Sequence, residues 1–144
     1  KKIVTRTIEE TLQLGIKIGR LAHARNVIAL RGGLGAGKTT LCKGIGEGLG
    51  ITEEITSPTY TIIAEYHGRL TFYHIDAYRL NGFSDFAEIG GLELLGAPES
   101  LCVIEWSERL PEIDEDCTAF ITIEVLQDGS RDFSVQGRWL EDLL

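Results

Sequence analysis

Eight consecutive residues in the first third of the chain carry the clearest chemical signal. Residues 32–39 read Gly-Gly-Leu-Gly-Ala-Gly-Lys-Thr and match the pattern Gly-x-x-x-x-Gly-Lys-Thr of loops that hold a nucleoside triphosphate. Such a loop needs glycine because successive backbone N–H groups must point at the phosphates, which requires positive φ angles and no nearby Cβ. Gly35 and Gly37 supply that freedom. Lys38 would then reach the β and γ phosphates, and the Thr39 hydroxyl would bind Mg²⁺.

Two acidic residues stand where predicted strands end. Glu105 follows an apolar run at residues 101–104, and Asp76 ends a second predicted strand at residues 70–75. In nucleotide hydrolases with this kind of loop, a carboxylate at the C-terminal end of a strand holds Mg²⁺ or orients the attacking water. For Glu105 this role is the favoured interpretation, whereas Asp76 could equally well end its strand in an ordinary turn.

Two ring side chains near these acids are predicted to be structural when each is judged alone. Trp106 could stack on a base, but a tryptophan beside a buried strand more often packs against its neighbours. His74 lies one residue off the apolar face of its segment, and its closeness to Asp76 is its only functional interest.

The loop must be positioned by a strand before it and a helix after it, and the sequence contains both. Residues 27–31 form a short apolar run of strand type, and residues 38–49 place apolar side chains on one helical face. Gly44, Gly46 and Gly48 are poor helix formers, each costing about 1 kcal/mol relative to alanine. They indicate either close packing against a neighbour or a loose helix, and the sequence does not decide between the two.

The whole pattern predicts an α/β chain with the three-layer P-loop nucleotide-hydrolase fold, a largely parallel central sheet and an antiparallel hairpin near the C-terminus. A capping box at residues 7–10 opens a helix that runs to about residue 24. The length of 144 residues predicts that residues 1–144 form a single domain. The acidic residues 112–116 are most simply a solvated loop. Strands are predicted at 61–66, 70–75, 101–104, 118–126 and 132–136, and short helices at 83–88 and 92–95.

Composition and charge limit the classes of partner and the compartment. The net charge of −8 argues against a free-standing nucleic-acid binder, because such proteins usually present a basic surface to phosphates. Three cysteines, odd in number and without metal-ligand spacing, fit a reducing compartment. No apolar run approaches the length of a membrane span, and the N-terminal residues lack the pattern of a secretory signal. The sequence therefore predicts a cytoplasmic protein that does not contact the membrane.

Four motifs in order give a resemblance to a known family. They are Gly-x-Leu-Gly-Ala-Gly-Lys-Thr-Thr at residues 32–40, Ser-Pro-Thr-Tyr-Thr at 57–61, His-x-Asp-x-Tyr-Arg-Leu at 74–80 and Ile-Glu-Trp-Ser-Glu at 104–108. Together they span most of the chain and resemble the TsaE family, formerly YjeE, the bacterial ATPases of tRNA threonylcarbamoyladenosine biosynthesis. The last three motifs are far more specific than the phosphate loop alone.

This resemblance implies roles for individual residues. Thr39 and Glu105 would hold Mg²⁺, and Lys38 and Asp76 would join Glu105 in the hydrolytic site. Trp106 would lie beside the nucleotide and respond to it, and residues 57–59 would act as a switch loop. The residues expected to contact ATP are Thr7, Gly33, Leu34, Gly35, Ala36, Gly37, Lys38, Thr39, Thr40, Trp106 and Arg131.

The resemblance also implies protein partners. Members of the family work with TsaD and TsaB, the subunits that transfer the threonylcarbamoyl group to the adenosine next to the anticodon. ATP hydrolysis would reset that complex between turnovers rather than drive the transfer, and tRNA would be met only through the complex. The chain departs from the family where Gly33 replaces a common Asp and where Ile75 and Ala77 replace Phe and Leu. None of these changes removes a functional side chain.

Other functions stay open on the residues alone. A small-molecule kinase would use the same loop, but it needs further arginines over an acceptor phosphate, and here the arginines are scattered. A guanine-nucleotide switch would need an Asn-Lys-x-Asp element, which the sequence lacks. A non-catalytic ATP-binding assembly module is a third alternative, because no arginine finger is obvious and Arg79 is the nearest candidate.

Overall fold

Seven strands pair into one sheet in the computed structural model, which describes residues 1–33, 37–56, 62–142 and 144. Two longer helices, three short helices and two segments of 3₁₀ helix accompany them. The strands are β1 (Lys2–Thr5), β2 (Asn26–Gly32), β3 (Ile63–His67), β4 (Thr71–Asp76), β5 (Ser100–Glu105), β6 (Ala119–Val125) and β7 (Arg131–Gln136). The helices are α1 (Ile8–Leu21), α2 (Lys38–Gly48), α3 (Phe83–Glu88), α4 (Gly91–Leu94) and α5 (Arg138–Glu141), and the 3₁₀ segments are Ser107–Arg109 and Pro111–Asp116.

The sheet order is β1-β7-β6-β2-β5-β4-β3, and its centre is parallel. Strands β6, β2, β5 and β4 run parallel to one another, whereas β7 and β3 pair antiparallel with β6 and β4, and β1 pairs antiparallel with β7. This arrangement confirms the predicted fold class, with β6 and β7 as the C-terminal hairpin. In the register, Glu105 lies opposite Leu30 of β2 on one side and opposite Asp76 of β4 on the other. Both acids therefore stand at the C-terminal ends of neighbouring parallel strands.

Apolar side chains cover both faces of the sheet, which explains why the central strands are almost purely apolar. Along β5, Leu101 and Val103 point to one face, while Cys102 and Ile104 point to the other. Helices α1 and α2 cover the first face through Leu14, Ile18, Leu41 and Ile45. On the second face the covering residues include Phe86, Leu110 and Ile113, from α3 and the segments after β5.

Four glycines let the backbones of α1 and α2 touch. A Cβ atom on Gly15 would lie 2.4 Å from the carbonyl oxygen of Leu41, and one on Gly48 would lie 2.2 Å from that of Ile16. Gly19 and Gly44 have equally close backbone neighbours on the opposite helix. The helix glycines thus serve close packing, and the alternative of a loose helix is not what the structure shows.

Two expectations from the sequence need correction. The acidic side chains of residues 112–116 are mostly exposed, as predicted, but they lie in the 3₁₀ segment Pro111–Asp116 and not in a loop, and Ile113 between them is buried in the core. The same segment is tied to the sheet by Asp114, whose Oδ1 accepts a hydrogen bond from Arg31 at 2.9 Å. The strand β1 was not predicted, since it becomes regular only by pairing with β7. In the part of the chain that the structure describes, no helix is both long and apolar enough to cross a membrane.

Candidate nucleotide site

The phosphate-loop motif lies between β2 and α2. Strand β2 ends at Gly32, and α2 begins at Lys38. Gly37, just before the helix, has φ 102° and ψ 13°, a left-handed conformation that favours glycine. Thr39 and Thr40 are half-buried in the first turn of α2. Leu34, Gly35 and Ala36, which were predicted to contact ATP, lie outside the described residues, as do residues 57–59 of the predicted switch loop.

Lys38 is held near the start of its own helix, with a side chain that is largely removed from water. The residue is 6% exposed, and its ammonium donates a hydrogen bond to the carbonyl oxygen of Gly32 at 2.8 Å. Burial lowers the pKa of Lys38, while the negative charges of Glu105, Glu108 and Asp76 oppose that effect. A desolvated cation at the positive end of a helix is an arrangement that an anionic ligand would stabilise.

The two predicted acids are brought together at the end of the parallel strands. Glu105 is 5% exposed, and Asp76 is half-buried on the neighbouring strand. Residues opposite each other in a parallel pair point to the same face, so both carboxylates face the α2 side of the sheet. Asp76 Oδ1 accepts a hydrogen bond from the backbone N–H of Tyr78 at 2.9 Å. The charges of both acids act on Lys38, and the contact with Tyr78 is also the ordinary strand-ending turn that the sequence left open for Asp76.

His74, which was predicted to be structural, contacts the acid at the end of β5, and the sequence interpretation did not foresee this contact. Its Nε2 makes a hydrogen bond to Oε2 of Glu105, and the imidazole is fully buried. Burial acts to lower the pKa of His74, but contacts with Cys42 and Glu105 outweigh burial and raise it. The alternation of β4 could have revealed this residue, because His74 and Asp76 are two positions apart and must share a face.

Trp106 turns the chain sharply after β5. Its φ of 60° and ψ of 34° are left-handed, which is strained for a bulky residue and often marks a functional site. The Lys38 ammonium lies 3.8 Å from the centre of the indole ring, and the ring of Tyr78 packs on the indole at 4.9 Å. The structure therefore places Trp106 against the lysine of the phosphate loop, where a cation–π contact stabilises the ammonium.

The turn that carries Trp106 is held by the strand that leads into the loop. Arg31, the residue before Gly32, donates from Nε to the hydroxyl of Ser107 at 2.9 Å. Ser107 is buried, and the Arg31 guanidinium also lies over the ring of Phe120 at 5.2 Å. One side chain thus couples the end of β2 to the turn after Glu105, a link that sequence patterns do not reveal because the two residues are far apart in the chain.

A cavity of about 220 Å³ is lined by several other residues that were predicted to contact ATP. Thr7, Gly37, Thr40 and Arg131 all line it. Thr7 is the N-cap of α1 and accepts a hydrogen bond from the Glu10 backbone at 3.0 Å, as the capping box predicted. The lining does not include Asp76, Glu105 or Trp106, so the predicted site residues form two groups that meet at the start of α2.

Comparison with known proteins shows one family throughout. A family model described as threonylcarbamoyl adenosine biosynthesis protein TsaE matches residues 5–133. The tRNA threonylcarbamoyladenosine biosynthesis protein TsaE of Treponema pallidum is 46% identical over 134 residues, covering 93% of this chain and 98% of the relative. The protein of the same name from Nostoc is 49% identical over 116 residues, covering 76% and 70%. The crystal structure of Bacillus subtilis YdiB superposes with a TM-score of 0.81 at 32% identity, covering 99% of this chain and 93% of that one.

Proposed function

The chain belongs to the TsaE family of tRNA threonylcarbamoyladenosine biosynthesis, and we propose that it acts in that pathway as a Mg²⁺-dependent ATPase. The observation that carries this proposal is the buried Lys38 ammonium at the start of α2, beside the acids at the ends of β4 and β5. This cation and the helix end would together stabilise an anion, and a triphosphate supplies one.

The residues around Lys38 suit the binding of phosphates. The N-terminal end of α2 offers backbone N–H groups and a partial positive charge, and the left-handed Gly37 turns the chain into that helix. On phosphate binding, the Lys38 ammonium would exchange its bond to the Gly32 carbonyl for charge-assisted bonds to phosphate oxygens. The Lys38 side chain already lies at the start of α2, beside the end of β2.

Thr39 and Glu105 are the residues that would hold Mg²⁺. Hydroxyl and carboxylate oxygens are the hard ligands that this ion prefers, and one or two protein ligands are enough when phosphates complete the set. Asp76, the partner of Glu105 in the strand register, would bind or orient water at the same edge. An Mg²⁺ ion held by these residues would supply the positive charge that neutralises the negative charge developing on the phosphates during hydrolysis.

The cavity lined by Thr7, Thr40 and Arg131 is the space we assign to the nucleoside part of ATP. It adjoins the start of α2, so a nucleotide with its phosphates at Lys38 could extend into it. Arg131 adds a cationic side chain close to Gly37, since a Cβ added to that glycine would lie 3.7 Å from Arg131 Nε.

We further propose that the protein works with TsaD and TsaB in the cytoplasm, where ATP hydrolysis resets that complex between turnovers. The three free cysteines suit a reducing compartment. The net charge of −8 favours contact with tRNA through the partners and not directly. Arg79, the nearest arginine-finger candidate, is exposed on the turn after β4, so a partner-induced rearrangement would be needed to bring an arginine to the phosphates.

The test is ATP hydrolysis by the purified protein, measured with and without TsaD and TsaB. We expect slow hydrolysis alone and faster hydrolysis with both partners. Glu105→Gln should keep most of the nucleotide affinity yet lose Mg²⁺-dependent hydrolysis, while Glu115→Gln, which changes an exposed acid on the segment Pro111–Asp116, should keep both. Tight ATP binding without hydrolysis under all conditions would favour the assembly module, and phosphate transfer to a small molecule would favour a kinase.

A further inference from the structure

The carboxylate of Glu105 makes a hydrogen bond to His74, a buried side chain that has no assigned role. We propose that His74 is a positioning residue, which holds one oxygen of Glu105 so that the other oxygen is presented to the metal ion. This inference rests on the proposed function, since it concerns the acid expected to bind Mg²⁺. It adds to the site a residue from β4 that never touches the nucleotide.

The hydrogen bond between His74 and Glu105 supplies the first argument. Nε2 of His74 contacts Oε2 of Glu105, and neither side chain is open to solvent, with 0% and 6% of their surfaces exposed. A carboxylate that loses water needs a donor in exchange, because an unpaired buried charge is costly. An Nε2–H group is present in the imidazolium and in one neutral tautomer, so the ring can donate in either charge state.

The histidine can position the acid because the ring itself is fixed. Its plane stacks on Phe72 with 5.7 Å between centroids and 9° between planes. On the neighbouring strand, Val103 lies opposite His74 in the register, two positions before the pair of Asp76 and Glu105. A donor on the central sheet is held more tightly than one on a loop, and outer residues of this kind commonly tune metal ligands.

A second interpretation of the same cluster is a site for a soft metal ion. The ligand atoms of Cys42, His74 and Glu105 all lie within 4.8 Å of one another. Binding of such an ion would have to displace the proton of the buried Cys42 thiol. Nε2 of His74 is already bonded to Glu105, and Nδ1 has no hydrogen-bond partner among the described residues. Because the hydrogen bond between Nε2 and Glu105 is already formed, we take the pair as the primary interpretation and make the soft-metal site an outcome of the test.

A pair of substitutions separates positioning from simple packing. His74→Phe keeps an aromatic ring against Phe72 but removes the donor, whereas His74→Gln keeps an N–H close to the position of Nε2. His67→Phe is the matched control, because His67 makes a similar 3.1 Å contact with Glu65 in an exposed pair on β3. For each variant, ADP affinity is measured by calorimetry with EDTA and over a range of Mg²⁺ concentrations, alongside thermal unfolding and ATP hydrolysis.

We expect His74→Phe to raise the Mg²⁺ concentration for half-maximal tightening of ADP binding by about tenfold or more, with ADP affinity in EDTA unchanged. His74→Gln should recover most of that loss, and His67→Phe should match the wild type. The proposal is overturned if His74→Phe keeps the wild-type Mg²⁺ dependence of ADP binding. It is also overturned if His74→Phe and His74→Gln are both folded and both need equally raised Mg²⁺ concentrations. Binding of Co²⁺ with a thiolate absorption band would overturn it in favour of the soft-metal site.

The positioning role of His74 and the proposed ATPase activity can fail independently of each other. If the wild-type protein binds Mg²⁺ and ADP but hydrolyses no ATP with or without partners, the ATPase proposal fails. The Mg²⁺ dependence of binding in the His74 variants would still decide whether the histidine positions Glu105.

Discussion

Glycine is used for two different reasons at the two ends of helix α2. Before the helix, Gly37 needs its residue type for conformation, since its φ is 102° and the nearest atom to an added Cβ would be a side-chain nitrogen at 3.7 Å. Within the helix, Gly44 and Gly48 have ordinary helical backbones but leave no space for a side chain. A Cβ added to them would lie 2.4 and 2.2 Å from carbonyl oxygens of α1. One glycine serves the loop chemistry, and the others fix the helix that carries it.

The difference shows how the fold supports the site. Glycine inside a helix costs about 1 kcal/mol relative to alanine, and here direct contact between two backbones offsets that cost. Because α1 and α2 touch at Gly15 and Gly44, α2 has a defined distance from its neighbour, and Lys38 at its start has a defined place. Substitutions at the two kinds of glycine should therefore separate stability from ligand binding.

The largest loss of stability is expected at the close contact between α1 and α2, where there is no space for a side chain. Gly48→Ala should lower the free energy of unfolding by about 3 kcal/mol, because the helices must move apart or the backbone must shift. The measurement is urea-induced unfolding followed by circular dichroism, with Gly33→Ala as the control, since a Cβ on Gly33 meets no atom within 4 Å. Equal stability of the two variants would show that the helix contact is not as close as described.

Replacing the lysine of the loop should affect binding and spare stability. We expect Lys38→Met to weaken ATP binding by about 100-fold, since charge-assisted bonds to the phosphates are lost. Its unfolding free energy should change by less than about 1 kcal/mol, because removal of a desolvated charge offsets the lost contact with Trp106. Calorimetric titration with ATP measures the affinity, and unchanged binding would refute the assignment of Lys38.

Conformational strain should give an intermediate result at Gly37. An alanine with φ near 102° is strained by about 1–2 kcal/mol, and the strain is relieved if the loop moves away from its phosphate-binding shape. We therefore expect Gly37→Ala to weaken ATP binding by about tenfold and to lower stability less than Gly48→Ala does. If its stability fell further than that of Gly48→Ala, the contrast between conformation and space would be wrong.

The smallest effect is expected at Gly33, although this residue lies inside the loop motif. Its backbone is not left-handed and a Cβ there has open space, so neither reason for glycine applies. Gly33→Ala should bind ATP within about threefold of the wild type. A loss as large as that of Gly37→Ala would mean that the residue approaches the phosphates in the bound state.

Local patterns predicted the elements that have their own periodicity. The capping box of α1, the loop before α2 and the apolar runs of β2 and β5 each carry a signal within a few residues, and the structure contains the helices and strands that they predict. Strand β1 carries too little pattern of its own and depends on β7 as a partner. The ends of β4 and β5 were predicted as well, whereas the pairing of Asp76 with Glu105 is visible only in the strand order of the structure.

The parts of the site that were missed depend on contacts between distant residues. His74 meets Glu105 across 31 positions of sequence, and Arg31 meets Ser107 across 76. A single sequence contains no signal for such a pair beyond the alternation that fixes which face each side chain occupies. The question of the helix glycines was likewise open, because crowding by a second helix is a property of the packed structure.

The central claim is that Mg²⁺ and the phosphates of ATP meet between the start of α2 and the end of β5. The most direct measurement is a crystal structure of the protein with ADP and Mn²⁺ in place of Mg²⁺, located by anomalous scattering. The account predicts a metal ion about 2.2 Å from the Thr39 hydroxyl or the Glu105 carboxylate, with the β phosphate on Lys38. A nucleotide bound elsewhere, or a metal ion away from both residues, would contradict it.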